Sequence, residues 1–179
     1  MKLSTLLAAI FLLFVVSVLL SACAKPQKGV TQDGYVYDNG TLSVTFPEQY
    51  STLRDGVNPT AYSCEVMLGE KRIVFGLCDE VSEAEKRFVE QNGLELCYGY
   101  KTSSIAPGMS GIREESIRVS GYPAFESLIG NEDDERYEIT RWIHAADRNQ
   151  LYMLRVITEN IETIEHDFVK SFFDSVSIR

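Results

Sequence analysis

Histidine and tryptophan are nearly absent from this chain of 179 residues, with two of the first and one of the second. No His-Glu-x-x-His or Cys-x-x-Cys pattern occurs, which removes the usual zinc frameworks. No Gly-x-Gly-x-x-Gly cradle for phosphates is present, and Gly108-Met109-Ser110-Gly111 lacks the spacing of a nucleophile elbow. Basic charge is also short: 17 Lys and Arg stand against 26 Asp and Glu, a net charge of −9. A nucleic-acid binder needs a basic face for the phosphates, so that class is excluded. Cysteine is sparse, at four, and proline stands at five. At 45% hydrophobic and 24% charged, the chain is not a disordered acidic one.

One long apolar run exists, at the start. Lys2 precedes an uncharged stretch over residues 6–20, which ends at Leu20-Ser21-Ala22-Cys23. A basic n-region, an apolar h-region and small residues at the cut form a secretory signal, to be kept out of the fold. A membrane-spanning helix is the competing reading, since residues 3–22 are about long enough to cross. The four closing residues resemble the lipobox of bacterial lipoproteins. That resemblance implies that the Cys23 thiol takes a diacylglyceryl group, that Leu20, Ser21 and Ala22 are read by the signal peptidase, and that Cys23 becomes the first mature residue. Two or more acyl chains hold a protein on a bilayer almost permanently. The domains are therefore 1–22, a signal peptide; 23–34, a lipidated cysteine with a flexible tether; and 35–179, one folded domain. The implied address is the extracytoplasmic face of the cell membrane. Ala24, in place of the aspartate that retains such proteins at the inner membrane, favours the outer membrane where two exist. Removing residues 1–22 takes one lysine and no acid, leaving 16 basic against 26 acidic residues, net −10. Such a body is repelled by anionic headgroups.

The mature part carries short strand signals and two helix signals. Residues 35–38 and 41–46 flank Asn39-Gly40, a hairpin turn. Residues 62–68 and 72–78 flank Gly69-Glu70. Ser82 with Glu85 three residues on is a capping box, predicting a helix that stops at Asn92-Gly93. A strand is predicted over 95–101, then a mobile loop over 102–111. Two more hairpins follow: 112–120 with 123–129, and 137–146 with 150–158. Ile161, Ile164, Phe168, Phe172 and Phe173 recur at helical spacing and predict one last helix, with residues 176–178 as a final strand. The sum is an α+β domain: an antiparallel β-sheet with two packed helices. About 145 residues bury roughly two-thirds of their unfolded surface, enough for a core without staples.

Three segments resemble the PsbP-like family. They are Leu42-Ser-Val-Thr-Phe-Pro-Glu-Gln-Tyr50, Val119-Ser-Gly-Tyr-Pro-Ala124, and Phe168-Val-Lys-Ser-Phe-Phe-Asp-Ser-Val-Ser-Ile178. The resemblance implies an α/β/α sandwich and a fold used for binding partners rather than for chemistry. It transfers no partner-binding residue to this chain.

Several side chains bear on function. Export permits disulfides, and Cys78 and Cys97 lie on strands rich in small residues. They either bridge, closing a loop worth roughly 3 kcal/mol, or remain buried thiols with Cys64. Residues 131–135 are a dense acid run, either a solvated turn or a weak calcium loop without its glycine. If Arg148-Asn149 is a two-residue turn, Trp142 faces Arg155 across the hairpin. That pair is a structural contact or, with Tyr98 and Tyr100, a ligand platform. His144 falls in a strand and His166 on the polar side of a helix. No nucleophile–base pair can be named, so the chain reads as a non-catalytic, lipid-anchored binding or scaffolding domain engaging an envelope protein, with neither metal nor cofactor. The alternative is a small-ligand-binding lipoprotein serving a transporter, which needs a concave apolar pocket.

Overall fold

The computed structural model describes residues 27–31, 34–53, 61–95, 108–131, 133 and 135–179. Among them run strands β1 (Gln27–Thr31), β2 (Gly34–Asp38), β3 (Leu42–Phe46), β4 (Ser51–Leu53), β5 (Ala61–Leu68) and β6 (Lys71–Cys78). Helix α1 (Glu83–Asn92) follows, then β7 (Ser110–Val119), β8 (Tyr122–Asn131), β9 (Arg136–Ala145) and β10 (Gln150–Thr158). Helix α2 (Asp167–Asp174) and β11 (Ser177–Ile178) close the order. The strands form a small sheet, β1-β2-β3-β11, and a large one, β4-β5-β6-β10-β9-β8-β7. All recorded pairings are antiparallel.

Local chemistry explains the turns. Asn39 Oδ1 accepts from the Thr41 and Leu42 N–H groups at 3.0 and 2.7 Å, turning β2 into β3. Ser120 and Gly121 both have positive φ, 51° and 85°, as a two-residue primed turn requires. The capping box of α1 is present: Ser82 Oγ accepts from Glu85 N–H at 3.3 Å, and Glu85 Oε2 accepts from Ser82 N–H at 3.0 Å.

Strand alternation gives the large sheet two buried faces. Ile143, Tyr152, Leu154, Val156 and Phe75 point to one side, where they meet α2 and the small sheet. Phe172 of α2 stands 5.1 Å from Phe75 and 5.3 Å from Phe46, ring centre to ring centre, and so joins the two sheets. Trp142, Leu151, Phe125 and Cys78 point to the other side and pack with Val81 and Val89 at α1. The result is an α+β sandwich with one helix on each face of the large sheet. Each large apolar side chain so buried contributes roughly 1.5–3 kcal/mol.

Four features depart from the sequence reading. Gln27–Thr31 is a paired strand, although residues 23–34 read as a flexible tether. The last helix is broken: residues Ile161–Glu165 form a 3-10 turn, and His166 is extended at φ −70° and ψ 144° before α2 begins. An unbroken helix would align Ile161 with Ile164 and Phe168, yet Ile161 is exposed while Thr163 and Ile164 are buried. The break thus leaves Ile161 outside and turns Thr163 and Ile164 inward. The β9–β10 connection takes four residues, with a 3-10 turn over Ala146–Arg148 and Asn149 in the left-handed region at φ 52°. Ala145 therefore pairs with Gln150, Trp142 with Met153, and Arg155 with Thr140. Finally, β7 starts at Ser110, inside the stretch read as a loop, and Glu95 is helical rather than the start of a strand. The rest of that strand, and residues 102–107 of that loop, lie outside the described residues.

Candidate functional site

The strongest concentration of charge lies between the large sheet and α2. On β8, Ala124, Glu126 and Leu128 share the inward face, and register sets Arg141 of β9 directly opposite Glu126. Glu126 is buried among apolar neighbours. Arg141 Nε and Nη2 donate to Glu126 Oε2 at 3.0 and 2.6 Å, and Nη1 donates to the Phe173 carbonyl at 3.1 Å. That carbonyl is among the last of α2, where helix oxygens have no partner within the helix. The guanidinium also sits 4.8 Å from the centre of the Phe173 ring.

The cluster continues outward. A bulge between Gly111 and Arg113 resets β7 so that Arg113 pairs with Leu128 and faces inward. Arg113 Nη2 donates to Glu126 Oε1 and Nη1 to Glu165 Oε1, both at 3.3 Å. Lys170 Nζ lies 3.2 Å from Glu165 Oε2. The order Arg141, Glu126, Arg113, Glu165, Lys170 alternates in sign. Lys170 and then Arg113 hold the Glu165 carboxyl below its ordinary range. These groups line a cleft of about 260 Å³ together with Glu115, Asp174 and apolar residues. No hydroxyl, thiol or imidazole lines it among the described residues. Chemically it is a clamp between a helix and a sheet, with each of the three cations engaged by a carboxylate.

A second polar group is buried where the sheets meet. The Tyr37 hydroxyl donates to Asp79, and Asn39 Nδ2 donates to the same carboxylate at 3.1 Å. The Tyr37 and Tyr62 rings lie 4.3 Å apart, and Tyr50 is edge-on to both. Burial raises the Asp79 carboxyl above its ordinary value, against the two hydrogen bonds. Burial, then Asp79, raises the Tyr37 phenol well beyond its usual range, so it stays protonated as a donor. This group ties the β2–β3 turn to the end of β6.

The residues singled out from the sequence fare differently. Leu20, Ser21, Ala22, Cys23, Cys97, Tyr98 and Tyr100 lie outside the described residues. Trp142 does not face Arg155: the four-residue connection shifts the register by two, and Trp142 is 2% exposed in the second core. Arg155 Nη1 instead approaches Glu138 Oε1 at 3.8 Å. An open aromatic platform at Trp142 is thereby corrected to a packing residue. Cys64 is buried and its thiol is pushed up to about 11 by desolvation. Cys78 is buried beside α1, its sulfur 3.6 Å from the Glu80 carbonyl oxygen. His166 stacks on Phe168 at 4.3 Å. Asp133 and Glu135 of the acid run are exposed in the β8–β9 turn. The sequence reading missed Glu126 and Arg141, although period two in β8 already put a carboxylate on the apolar face.

Further surfaces are open among the described residues. A groove of about 590 Å³ runs along β7 and β8 beside Gly93, Leu94 and Glu95. At the β5–β6 tip, Met67 and Leu68 are 60% and 41% exposed.

No family profile matches the chain, and no curated protein matches it. Among solved structures, a protein of unknown function from Pseudomonas aeruginosa, PA94, is similar with a TM-score of 0.52 and 12% identity. The match covers 73% of this chain and 97% of that one. LpqN of Mycobacterium tuberculosis, involved in cell envelope biogenesis, gives 0.48 and 11%, covering 86% of this chain and 90% of that one. CyanoP, the PsbP of the cyanobacterium Synechocystis, gives 0.47 and 12%, covering 88% and 94%. At these identities the likeness to PA94 is one of fold: antiparallel sheets with two helices.

Proposed function

We infer that the chain is a lipid-anchored, extracytoplasmic body that binds a protein partner of the bacterial envelope and performs no chemistry of its own. The observation that carries the non-catalytic reading is the cleft beneath α2. Its one buried carboxylate, Glu126, is committed to Arg141 and Arg113, and no nucleophile lines the cleft among the described residues. A general base must reach a proton to be taken, and Glu126 is already engaged at both oxygens. The anchor rests on Leu20-Ser21-Ala22-Cys23 at the end of an uncharged run. The exposed Met67-Leu68 tip supports a protein partner, since a protein interface centres on apolar anchors with a polar rim.

Metabolic labelling with an alkyne fatty acid tests the anchor. The native chain takes the label and fractionates with membranes, whereas Cys23→Ser takes none and its precursor is left uncut. Label on Cys23→Ser sinks the anchor. Photocrosslinking in intact cells from position 68 tests the partner: an envelope-protein adduct absent from the same probe at position 90 of α1 supports it. The ligand-binding reading draws on the groove beside β7, which is lined by Leu94, Ile117 and Phe125. It is favoured instead if small molecules seated there raise the melting temperature.

A further inference from the structure

We propose that the body has a fixed polarity on the membrane: the end carrying the 39–41 turn and Arg179 faces the lipid, and the β5–β6 and β8–β9 turns face away. The proposal rests on lipidation of Cys23. Its structural basis is the direction and start of β1. Gln27 pairs with Asp38 and Thr31 with Gly34, so β1 begins at the end of the small sheet where β2 turns into β3. Arg179 marks the same end. Its N–H donates to the Thr41 carbonyl at 2.9 Å, and its guanidinium lies 3.1 Å from the Asp38 carboxylate. Asn39 reaches Asp79 just past β6, which aligns this end with one end of the large sheet. The β7–β8 turn lies there too, since Ser120 Oγ accepts from the Ile178 N–H at 3.1 Å.

Register puts the remaining turns at the opposite end. Leu68 pairs with Lys71 and Asn131 with Arg136. The eight residues of β6 separate the two ends by about 26 Å. Cys23 precedes Gln27 by four residues. Four residues span at most about 14 Å, less than the length of the body. A tether running to residue 34 would leave the body free to tumble, but pairing from Gln27 onward removes that freedom.

Charge acts in the same direction. The far end exposes Glu70, Asp133, Glu135, Glu159 and Glu162 against Arg72 and Arg136 and a half-buried Lys71, with Arg72 engaged by Glu65. The near end exposes Arg118, Arg148 and Arg179 beside Glu80 and Asp147, with Arg179 engaged by Asp38. The far end is the more acidic of the two, so anionic headgroups repel it more strongly than the near end. The far end also presents Met67 and Leu68, so the surface offered to a partner points outward.

The full lipidated chain, reconstituted in vesicles of neutral and anionic phospholipid, tests this. An alkyne-bearing amino acid at position 179 or at position 70 carries a donor dye, and the headgroups carry the acceptor. Energy transfer is expected to be several-fold faster from position 179. A flexible Gly-Ser insert of about twenty residues before Gln27, adding about 25 Å r.m.s., should level the two. Equal transfer without the insert, or faster transfer from position 70, overturns the polarity while leaving the anchor intact. If Cys23→Ser still binds the vesicles and gives the same ratio, the anchor falls and the polarity falls with it.

Discussion

Replacing Arg141 by methionine tests whether the buried ion pair clamps α2 to the sheet. Methionine keeps much of the apolar stem and deletes the guanidinium. Glu126, with its side chain 10% exposed, then loses its 2.6 Å partner. The Phe173 carbonyl also loses its 3.1 Å donor. Breaking a buried pair from one side costs roughly 3–5 kcal/mol, because a desolvated charge stays behind. Arg113 remains 3.3 Å from Glu126 but is 44% exposed, and so offsets only part of that loss. A cost of about 3 kcal/mol follows, which for a body of this size lowers the Tm by roughly 6–12 °C. Calorimetry and urea titration on Arg141→Met, Glu126→Leu and the double variant measure it. The double variant should recover most of the loss, since exchanging both partners for apolar groups of similar volume is often close to neutral. A single-variant loss below about 1 kcal/mol, or a double variant no better than Arg141→Met, refutes the clamp. Helix α2 would then dock through Phe172 and Phe173 alone.

Three further outcomes are expected. Ser82→Ala should cost about 1 kcal/mol and raise amide exchange within α1, because it deletes half of the capping box; unchanged exchange there contradicts that role. The folded-state value of Asp79 is raised, so its contribution is present below the ordinary value of 3.8 and is lost as pH rises through the folded value. Asp79→Asn should therefore be more stable than the native chain at neutral pH, with the gap closing toward about pH 3.5; urea midpoints across that range decide, and a less stable variant at neutral pH reverses the sign. Cys64, pushed up to about 11, should resist iodoacetamide at pH near 8 until the chain unfolds; peptide mass mapping that finds it modified at the rate of a free thiol refutes this.

Much of the fold was legible because its signals are local. Asn39-Gly40 and Gly69-Glu70 are turns whatever surrounds them, and the Ser82–Glu85 box needs only four consecutive residues. The β7–β8 turn falls at Ser120-Gly121, one residue ahead of the 121–122 gap read from the sequence. Period two over 41–46 put Leu42, Val44 and Phe46 on one side, and these three are buried. The misses came where tertiary packing outvoted local pattern. Asn149 reads equally well as half of a two-residue turn or as the left-handed close of a 3-10 turn, and only the pairing of Ala145 with Gln150 decides. Ile161 has the spacing of the first rung of a long helix, but the chain is extended at His166 and leaves Ile161 exposed. The clamp escaped because Glu126 and Arg141 are fifteen positions apart, and neither announces a partner without strand register. Residues 27–31 look polar and loose in isolation, and their pairing with β2 is a property of the neighbour.

The small sheet depends on residues that arrive late. Its β3 strand is completed by β11, and Ser175 Oγ accepts from the Thr45 N–H across 130 positions of sequence. A chain emerging from its N-terminus, on a ribosome or through a translocon, must hold the β2–β3 hairpin with a bare rim until residues 175–178 appear. Loops of that span close slowly. An exposed strand rim is an invitation to pair with another molecule. Clipping the chain after Asp174 would make that temporary state permanent, with self-association rather than simple unfolding as the outcome.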